Sequence, residues 1–271
     1  MHRTPWRLAA ALSVVAAVAC RPEFQLKKFT TNEALYTASL NAFQHHHWDD
    51  AISGFEKLTS DLPPRDSLLP RSYWYLATSH ARNGEHLLAA QSYSRLVESF
   101  PDDSLAPDAS LAAAQSYKKM WRKPELDATY GQEALASYNT LIGLYPTSRD
   151  TAQAKKDIAE LENWFAIKDY DAGMYYFRRK AFISASLYFK DVLAKYPNTP
   201  TARDAGVKLV AAYKEDHYRE DASDLCAQLD QRYPTDRKVR DVCTGVAPPP
   251  AKPDSAPPSA AEPPAAKPPA F

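Results

Sequence analysis

The sequence predicts an all-α protein built from repeated pairs of helices. Three observations predict it: one pattern of apolar residues occurs five times, every copy ends in proline, and only seven of the 271 residues are glycine. Glycine weakens helix interiors, so its scarcity suits a helical chain. Proline ends a helix because it lacks a backbone N–H and crowds the preceding turn. One type of helix with one stop signal, used five times, is typical of a helical-repeat protein.

The repeated pattern is Ala, an aromatic residue four positions later, Leu seven positions later and Pro twelve positions later. Offsets of four and seven place the apolar side chains on one helix face, where the small Ala lets a neighbouring helix approach. The largest departure is a cysteine in the aromatic position of the fifth copy. The copies are Ala51-Phe55-Leu58-Pro63, Ala89-Tyr93-Leu96-Pro101, Ala134-Tyr138-Leu141-Pro146, Ala185-Phe189-Val192-Pro197 and Ala222-Cys226-Leu229-Pro234.

The spacing between the copies predicts the type of repeat. Successive prolines are 38, 45, 51 and 37 residues apart, whereas a tetratricopeptide unit has about 34 residues. Each interval therefore holds one pair of helices and an insertion. Counting back from the second proline places Tyr73, Leu76 and Ala77 at the aromatic, Leu and small positions of a first helix. We predict a tetratricopeptide-repeat solenoid of five helix-turn-helix units over residues 32–246.

The two longest intervals predict two insertions. In the third unit, a first helix from Asp108 to about Lys119 is followed by an extended loop that ends at Pro124. Between the third and fourth units, residues 151–179 contain no proline and keep apolar side chains at near-helical spacing. We predict one unusually long helix there, and a break near Lys168 is the alternative.

Residues 1–19 are predicted to be a signal peptide. A basic start precedes an apolar run at residues 8–18, which is shorter than the roughly 20 residues needed to span a bilayer. A buried N-terminal helix, the alternative, fits poorly with the small residues directly before Cys20. This junction resembles the lipobox of a bacterial lipoprotein, which implies that Cys20 becomes a palmitate-bearing N-terminus. Arg21 follows it, rather than the Asp that resembles an inner-membrane retention signal, and this favours the outer membrane.

Two segments flank the predicted repeats. Residues 20–31 are predicted to be a lipidated linker. Residues 247–271, of which ten are proline, are predicted to be a disordered tail because they have no apolar face to bury. We interpret the tail as an extended spacer, and a specific polyproline ligand is the alternative.

The composition argues against several classes of function. The 33 basic residues are balanced by 33 acidic ones, so the basic surplus of a nucleic-acid-binding protein is missing. Neither a Gly-rich phosphate loop nor a nucleophile elbow is found in the sequence. His45, His46 and His47 are consecutive and point in different directions, so they cannot easily share one metal. We predict that the protein is not an enzyme and holds no cofactor or metal.

Cys226 and Cys243 are separated by 17 residues. In an oxidising periplasm such a pair predicts a disulfide between the last repeat and the segment that follows it. Two buried free thiols are the alternative.

Segments of the third and fourth units resemble the corresponding repeats of the BamD family, the lipoproteins of the outer-membrane β-barrel assembly machinery. The first unit departs from the family because it ends in Leu62-Pro63-Pro64 rather than in an aromatic residue and proline. The proline-rich tail is not a general feature of the family either. The segments that carry the resemblance are Leu126–Tyr130, Ala134–Leu135, Tyr145–Ser148, Tyr175–Phe182, Ala185 and Tyr196–Pro200.

The resemblance implies a scaffold held by its lipid on the periplasmic face of the outer membrane. Such a scaffold would bind the POTRA domains of the barrel-forming BamA subunit, join other assembly-machinery lipoproteins and receive unfolded outer-membrane proteins. The alternative is another periplasmic tetratricopeptide lipoprotein, one that organises peptidoglycan synthesis or envelope constriction. The proline-rich tail favours this alternative because it could reach through the cell wall.

Two groups of residues are candidate binding sites. By the repeat register, the concave side is lined by first-helix residues in which aromatic rings lie beside arginines. Such a surface suits an extended peptide that ends in an aromatic residue and a carboxylate, because arginine pairs with carboxylate through two N–H groups. The alternative is that these residues pack against the connector after the first unit. They are Tyr36, Phe43, Arg71, Trp74 and Arg82.

The second candidate is a basic turn in the fourth unit. Arg178, Arg179 and Lys180 could pair with acidic residues of a POTRA domain, and a solvated turn is the alternative.

Overall fold

The computed structural model describes residues 24–246, and over these residues the chain is helical, with no β-strand. The signal peptide, Cys20 and the proline-rich tail lie outside the described residues. Ten of the helices form five successive pairs, and the last helix follows the fifth pair. The helices are α1 (Asn32–Gln44), α2 (Trp48–Asp61), α3 (Leu69–Arg82), α4 (His86–Ser99), α5 (Ala106–Met120), α6 (Thr129–Leu144), α7 (Asp150–Arg178), α8 (Phe182–Lys195), α9 (Pro200–Glu215), α10 (Arg219–Arg232) and α11 (Arg237–Cys243).

The repeated pattern predicts where the second helix of each pair ends. Helices α2, α4, α6, α8 and α10 each stop two residues before the proline of their copy. The residue just before that proline donates its N–H to the carbonyl oxygen of the Leu position, as Leu62 does to Leu58 and Phe100 does to Leu96. The helix therefore closes its last turn before proline, which has no N–H to continue it.

The same pattern predicts the core. The side chains at the Ala, aromatic and Leu positions of all five copies are buried, and the most exposed of them, Cys226, is only 6% exposed. Because offsets of four and seven residues share one helix face, burying that face against the partner helix places every copy in the core. The predicted tetratricopeptide class, five helix pairs, is confirmed.

The turns inside the pairs are of two kinds. In four pairs, one residue of a short turn has a positive φ: His46 at 62°, Gly84 at 84°, Lys180 at 60° and His217 at 63°. The third pair has instead the longer loop that the spacing predicts. Its first residue, Trp121, is 1% exposed and lies so close to α6 that a Cβ at position 131 would overlap the indole ring.

The chain divides into two compact units, which are distinct from the single repeats. The first unit ends at Leu161 and the second unit begins at Glu162. Helix α7 contributes residues to both, and it is continuous through Lys168, so the alternative of a break there is wrong. In the first unit, Lys118 of α5 holds the start of α7 through ion pairs with Asp157 and Glu160, each with a nitrogen–oxygen distance of 2.7 Å.

Helix α11 closes the end of the second unit. In the structure Cys226 and Cys243 are joined by a disulfide, and their Cα atoms are 5.7 Å apart. Val239 of α11 is fully buried in the same cluster. Lys214 Nζ donates hydrogen bonds to the carbonyl oxygens of Val242, at 3.0 Å, and Thr244, at 3.3 Å. The cysteine in the aromatic position therefore joins the last repeat to its closing helix.

Candidate functional site

Four aromatic rings meet where the first two helix pairs contact each other. Tyr75 of α3 lies at the centre of this Tyr75 cluster, with its ring centroid 5.0 Å from that of Phe43 and 5.4 Å from that of Phe55. Tyr36 packs edge-on against Phe55 at 5.8 Å and lies 6.4 Å from Tyr75. Tyr36 and Phe43 are seven residues apart in α1, so they share a helix face. The structure therefore brings these two predicted residues together.

Arg71 is exposed beside this cluster. It precedes Tyr75 by four residues, so the two side chains lie on one face of α3. Burial and the neighbouring Tyr75 raise the pKa of the Tyr36 hydroxyl, and the positive charge of Arg71 partly opposes that rise. The guanidinium is therefore close enough for its charge to act on the Tyr36 hydroxyl.

Trp74 and Arg82 group around a different ring. The Trp74 ring meets the Tyr93 ring edge-on at 5.3 Å. The Tyr93 hydroxyl shares a 2.8 Å hydrogen bond with Thr78 Oγ1. Burial raises the pKa of Tyr93, whereas the Thr78 hydrogen bond and the charge of Arg82 lower it. The side chains of positions 74, 78 and 82 succeed one another at intervals of four along one face of α3.

One helix face therefore carries most of the candidate site. We call Arg71, Trp74, Tyr75, Thr78 and Arg82 the α3 face. Within residues 24–246, no ion pair joins Arg71 or Arg82 to an acidic side chain. The ring partners of Tyr36, Phe43 and Trp74 lie on helices α2, α3 and α4 rather than on the connector that follows the first pair.

Tyr75 and Thr78 are not among the residues predicted from the sequence. The repeat register assigns Tyr73 to the aromatic position of α3, and this drew attention away from the second tyrosine of the helix. A usable signal is present, because Tyr75 and Thr78 stand four and seven residues after Arg71. Offsets of four and seven residues define the buried face of the second helix in each pair, and the same offsets from Arg71 define the α3 face.

The basic turn predicted in the fourth repeat lies between α7 and α8, in the second of the two compact units. Arg178, Arg179 and Lys180 are all exposed. The Arg179 guanidinium carbon lies 4.0 Å from the centre of the Tyr175 ring, a cation–π contact.

Two exposed apolar residues accompany this turn. Ile183 is 63% exposed and Leu187 is 62% exposed, and they stand four residues apart on α8. Sequence reasoning missed both because it followed the buried face of α8. A signal exists, since neither residue falls on the face defined by Ala185, Phe189 and Val192. We call Tyr175, Arg178, Arg179, Lys180, Ile183 and Leu187 the α7–α8 surface.

The three consecutive histidines stack with neighbouring rings. His46 lies 5.1 Å from Trp48, and His45 lies 6.1 Å from His47. Among the described residues, no group of three or more His, Cys, Asp or Glu side chains is arranged to hold a metal. Likewise, none of the helices in residues 24–246 has the length and apolar character needed to cross a bilayer.

Five successive helix pairs define a helical-repeat protein, and the α3 face is its candidate binding surface. The family model of outer membrane lipoproteins named YfiO matches residues 29–229, so the chain belongs to that family. This confirms the resemblance to the BamD family. Its curated relatives are named assembly factors, and the protein is a non-enzymatic repeat protein.

Curated relatives of this chain are named BamD. The outer membrane protein assembly factor BamD of Xylella fastidiosa Temecula1 is 26% identical over 195 residues, which cover 67% of this chain and 65% of the relative. The chain thus spans 65% of the length of that relative. BamD of Caulobacter vibrioides is 23% identical over 234 residues, which cover 85% of this chain and 75% of the relative.

Solved repeat proteins are also similar. The TPR domain of P58(IPK) is 12% identical with a TM-score of 0.42, and the match covers 89% of this chain and 59% of that one. A thermophilic TPR protein of Thermus thermophilus is 16% identical with a TM-score of 0.34, and the match covers 79% of this chain and 98% of that one. The fold assignment rests on the helix pairs and the family match rather than on these scores.

Proposed function

We propose that the protein is a lipid-anchored periplasmic scaffold of the outer-membrane β-barrel assembly machinery. It holds the POTRA domains of a BamA-like barrel subunit, assembles with other lipoproteins and receives unfolded outer-membrane proteins. The observation that carries the proposal is the α3 face, with its rings and arginines, in a chain of the outer membrane lipoprotein family. The names of the relatives, outer membrane protein assembly factors, support the same setting.

The α3 face suits an extended peptide with an aromatic residue and a terminal carboxylate. Packed rings offer an apolar surface for stacking, and an arginine fork pairs with a carboxylate through two N–H groups. Arg71 and Arg82 are eleven residues apart, which is about 16 Å along a helix axis. An extended peptide of about five residues covers that distance. One arginine therefore binds the terminal carboxylate while the rings near the other hold residues further up the peptide.

Peptide titration tests this site. Arg82→Ala is expected to weaken binding of a C-terminal outer-membrane-protein peptide by about tenfold or more, because a hydrogen bond to a charged group contributes about 1.5–3 kcal/mol. Trp74→Ala is expected to weaken it by about tenfold, because the peptide loses an aromatic ring to pack on. Arg95→Ala is the matched control, since it removes an exposed arginine from α4. Unchanged affinity in both test variants would contradict the site.

The same titration with an amidated peptide identifies the group that Arg82 binds. Amidation removes the terminal carboxylate. If Arg82 pairs with that carboxylate, Arg82→Ala has little further effect on the amidated peptide, and the two changes are not additive. Fully additive losses would assign Arg82 to another part of the peptide.

The α7–α8 surface is the proposed docking site for the POTRA domains. Exposed apolar side chains rimmed by basic groups are typical of an interface with a partner of opposite charge. Affinity capture from solubilised membranes tests the partner. Recovery of a large β-barrel protein with POTRA domains supports the proposal, whereas recovery of peptidoglycan synthases supports the alternative scaffold that the proline-rich tail favours.

The lipid anchor on Cys20 is part of the same proposal. It accounts for attachment to a membrane by a chain whose described helices do not cross one. The mass of the N-terminal peptide of the mature protein tests it. A peptide that begins at Cys20 and carries acyl chains is expected, and an unmodified Cys20 would contradict the anchor.

A further inference from the structure

The residues just before the first repeat form a short segment with two different faces. Phe24, Leu26 and Phe29 turn inward and pack against the core of the first helix pair. The Phe24 and Phe29 rings are 5.5 Å apart, on either side of a 3₁₀ turn at Leu26–Lys28. Three apolar contacts within six residues hold this segment on the edge of the first repeat.

The other face of the segment is positively charged. Lys27 and Lys28 are both exposed, and within the described residues neither forms an ion pair. The nearest acidic residues along the chain are Glu23, four residues before Lys27, and Glu33, five residues after Lys28, so positions 24–32 hold the two lysines and no acidic residue. The inward phenylalanines fix the backbone of the turn while the ammonium groups stay in solvent.

The position of Cys20 decides what these lysines can meet. Cys20 precedes Phe24 by four residues, and four residues of chain extend at most about 14 Å. If Cys20 carries a lipid, the Phe24 Cα atom lies within that distance of the acylated residue. The headgroup layer itself is about 5–8 Å deep on each side of a bilayer, and a lysine reaches further on its flexible four-carbon stem.

We propose that Lys27 and Lys28 bind acidic phospholipid headgroups, so that the edge of the first repeat rests on the bilayer surface. This inference depends on the proposed lipidation of Cys20 and adds a second contact to it. The acyl chains hold the N-terminus in the membrane, whereas the two lysines orient the first repeat against it. A lysine near an acidic bilayer surface strengthens its attachment about fivefold.

Amine footprinting of the lipidated full-length protein tests the proposal. The protein is reconstituted in phosphatidylcholine vesicles and in the same vesicles with phosphatidylglycerol added, and lysine acetylation is measured by peptide mass spectrometry. Acetylation of Lys27 and Lys28 is expected to fall about fivefold with phosphatidylglycerol and to recover at about 0.5 M salt, which screens surface charges. Lys155 and Lys156, an adjacent exposed pair on α7, are the internal control and keep their acetylation.

The other outcomes separate this inference from the proposed function. Equal acetylation of Lys27 and Lys28 in both vesicles, on protein whose Cys20 peptide carries acyl chains, overturns the headgroup contact and leaves the anchor intact. Protection in both vesicles at all salt concentrations also overturns it, because the contact then does not depend on lipid charge. A Cys20 peptide without acyl chains overturns the anchor and this inference together.

Discussion

The α3 face in the first unit and the α7–α8 surface in the second unit differ in how their apolar groups are held. On the α3 face, the rings of Trp74 and Tyr75 are half-buried and pack on neighbouring rings, and Arg71 and Arg82 are exposed. On the α7–α8 surface, Ile183 and Leu187 are more than half exposed. The first arrangement suits a narrow ligand bound by a few directed contacts, whereas the second suits the broad surface of a folded partner.

The largest expected effect comes from changing the same core position in each unit. Phe55→Ala and Phe189→Ala each remove a fully buried ring, so each is expected to lower the free energy of unfolding by about 3–5 kcal/mol. Phe55 contacts Tyr36 and Tyr75, whereas Phe189 contacts Tyr170 and Phe177. Urea unfolding measures stability, and peptide titration below the transition measures binding. Peptide affinity falls for Phe55→Ala alone, and an equal fall in both variants would erase the difference between the units.

The next effect is confined to the second unit. Replacing Cys226 and Cys243 by serine is expected to lower the free energy of unfolding by about 3 kcal/mol, because the bridge closes a loop in the unfolded chain. Reductant is expected to do the same to the unchanged protein. Alkylation followed by mass spectrometry shows whether the bridge is present in the purified protein. Labelling of both cysteines without reductant would contradict it.

Changing the exposed pair Ile183 and Leu187 on α8 is expected to affect stability less than the changes above, but to weaken docking strongly. The double change Ile183→Glu and Leu187→Glu is expected to weaken binding of POTRA domains about a hundredfold, because two apolar contacts of about 1.5 kcal/mol each are lost. Leu144→Glu is the matched control, because Leu144 is 58% exposed on α6 of the first unit. Equal binding by the double variant and the control would remove docking from the α7–α8 surface.

The smallest effect comes from an ion pair in the first unit. Burial alone would raise the pKa of the Asp157 carboxyl, but hydrogen bonds from Lys118 and Gln153, with the charge of Lys118, hold it below its usual value. A depressed pKa stabilises the fold above the unfolded pKa of about 4, and this contribution is lost as the pH falls through the folded value. Asp157→Asn is therefore expected to lower the free energy of unfolding at neutral pH by about 1–2 kcal/mol. Unfolding curves at decreasing pH check it: the gap between the two proteins should close in acid, and a gap independent of pH would contradict the pairing.

Much of the fold could be predicted because helix faces and stop signals are local properties. Proline acts on the turn before it, so the ends of α2 and α8 follow from Pro63 and Pro197 alone. The absence of proline from residues 151–179 likewise predicts one long helix, although a break near Lys168 stayed open until the structure showed α7 to be continuous. The burial of Trp121 against α6 could not be predicted, because it depends on a contact between a loop and the close approach that Gly131 permits.

The candidate sites were harder to predict for a related reason. Periodicity identifies the face that a helix turns toward its own partner, as it did for Phe189 in α8. It does not say whether another helix covers the opposite face. Ile183 and Leu187 are exposed because no described element covers that side of α8. Tyr75 belongs to the candidate site because three rings from α1 and α2 pack around it, and those contacts depend on the tertiary structure.

Three of the turns inside the helix pairs hold a non-glycine residue at positive φ, which lowers the stability of the fold. His46, Lys180 and His217 adopt a backbone conformation that disfavours any residue with a Cβ by about 1–2 kcal/mol, whereas Gly84 adopts it freely. Three of four equivalent turns thus keep a side chain where glycine would relieve strain. For Lys180 that side chain is one of the charges on the proposed docking surface. Replacing His46 or His217 by glycine is therefore expected to stabilise the scaffold, whereas Lys180→Gly would relieve the same strain but remove a charged group from the proposed docking surface.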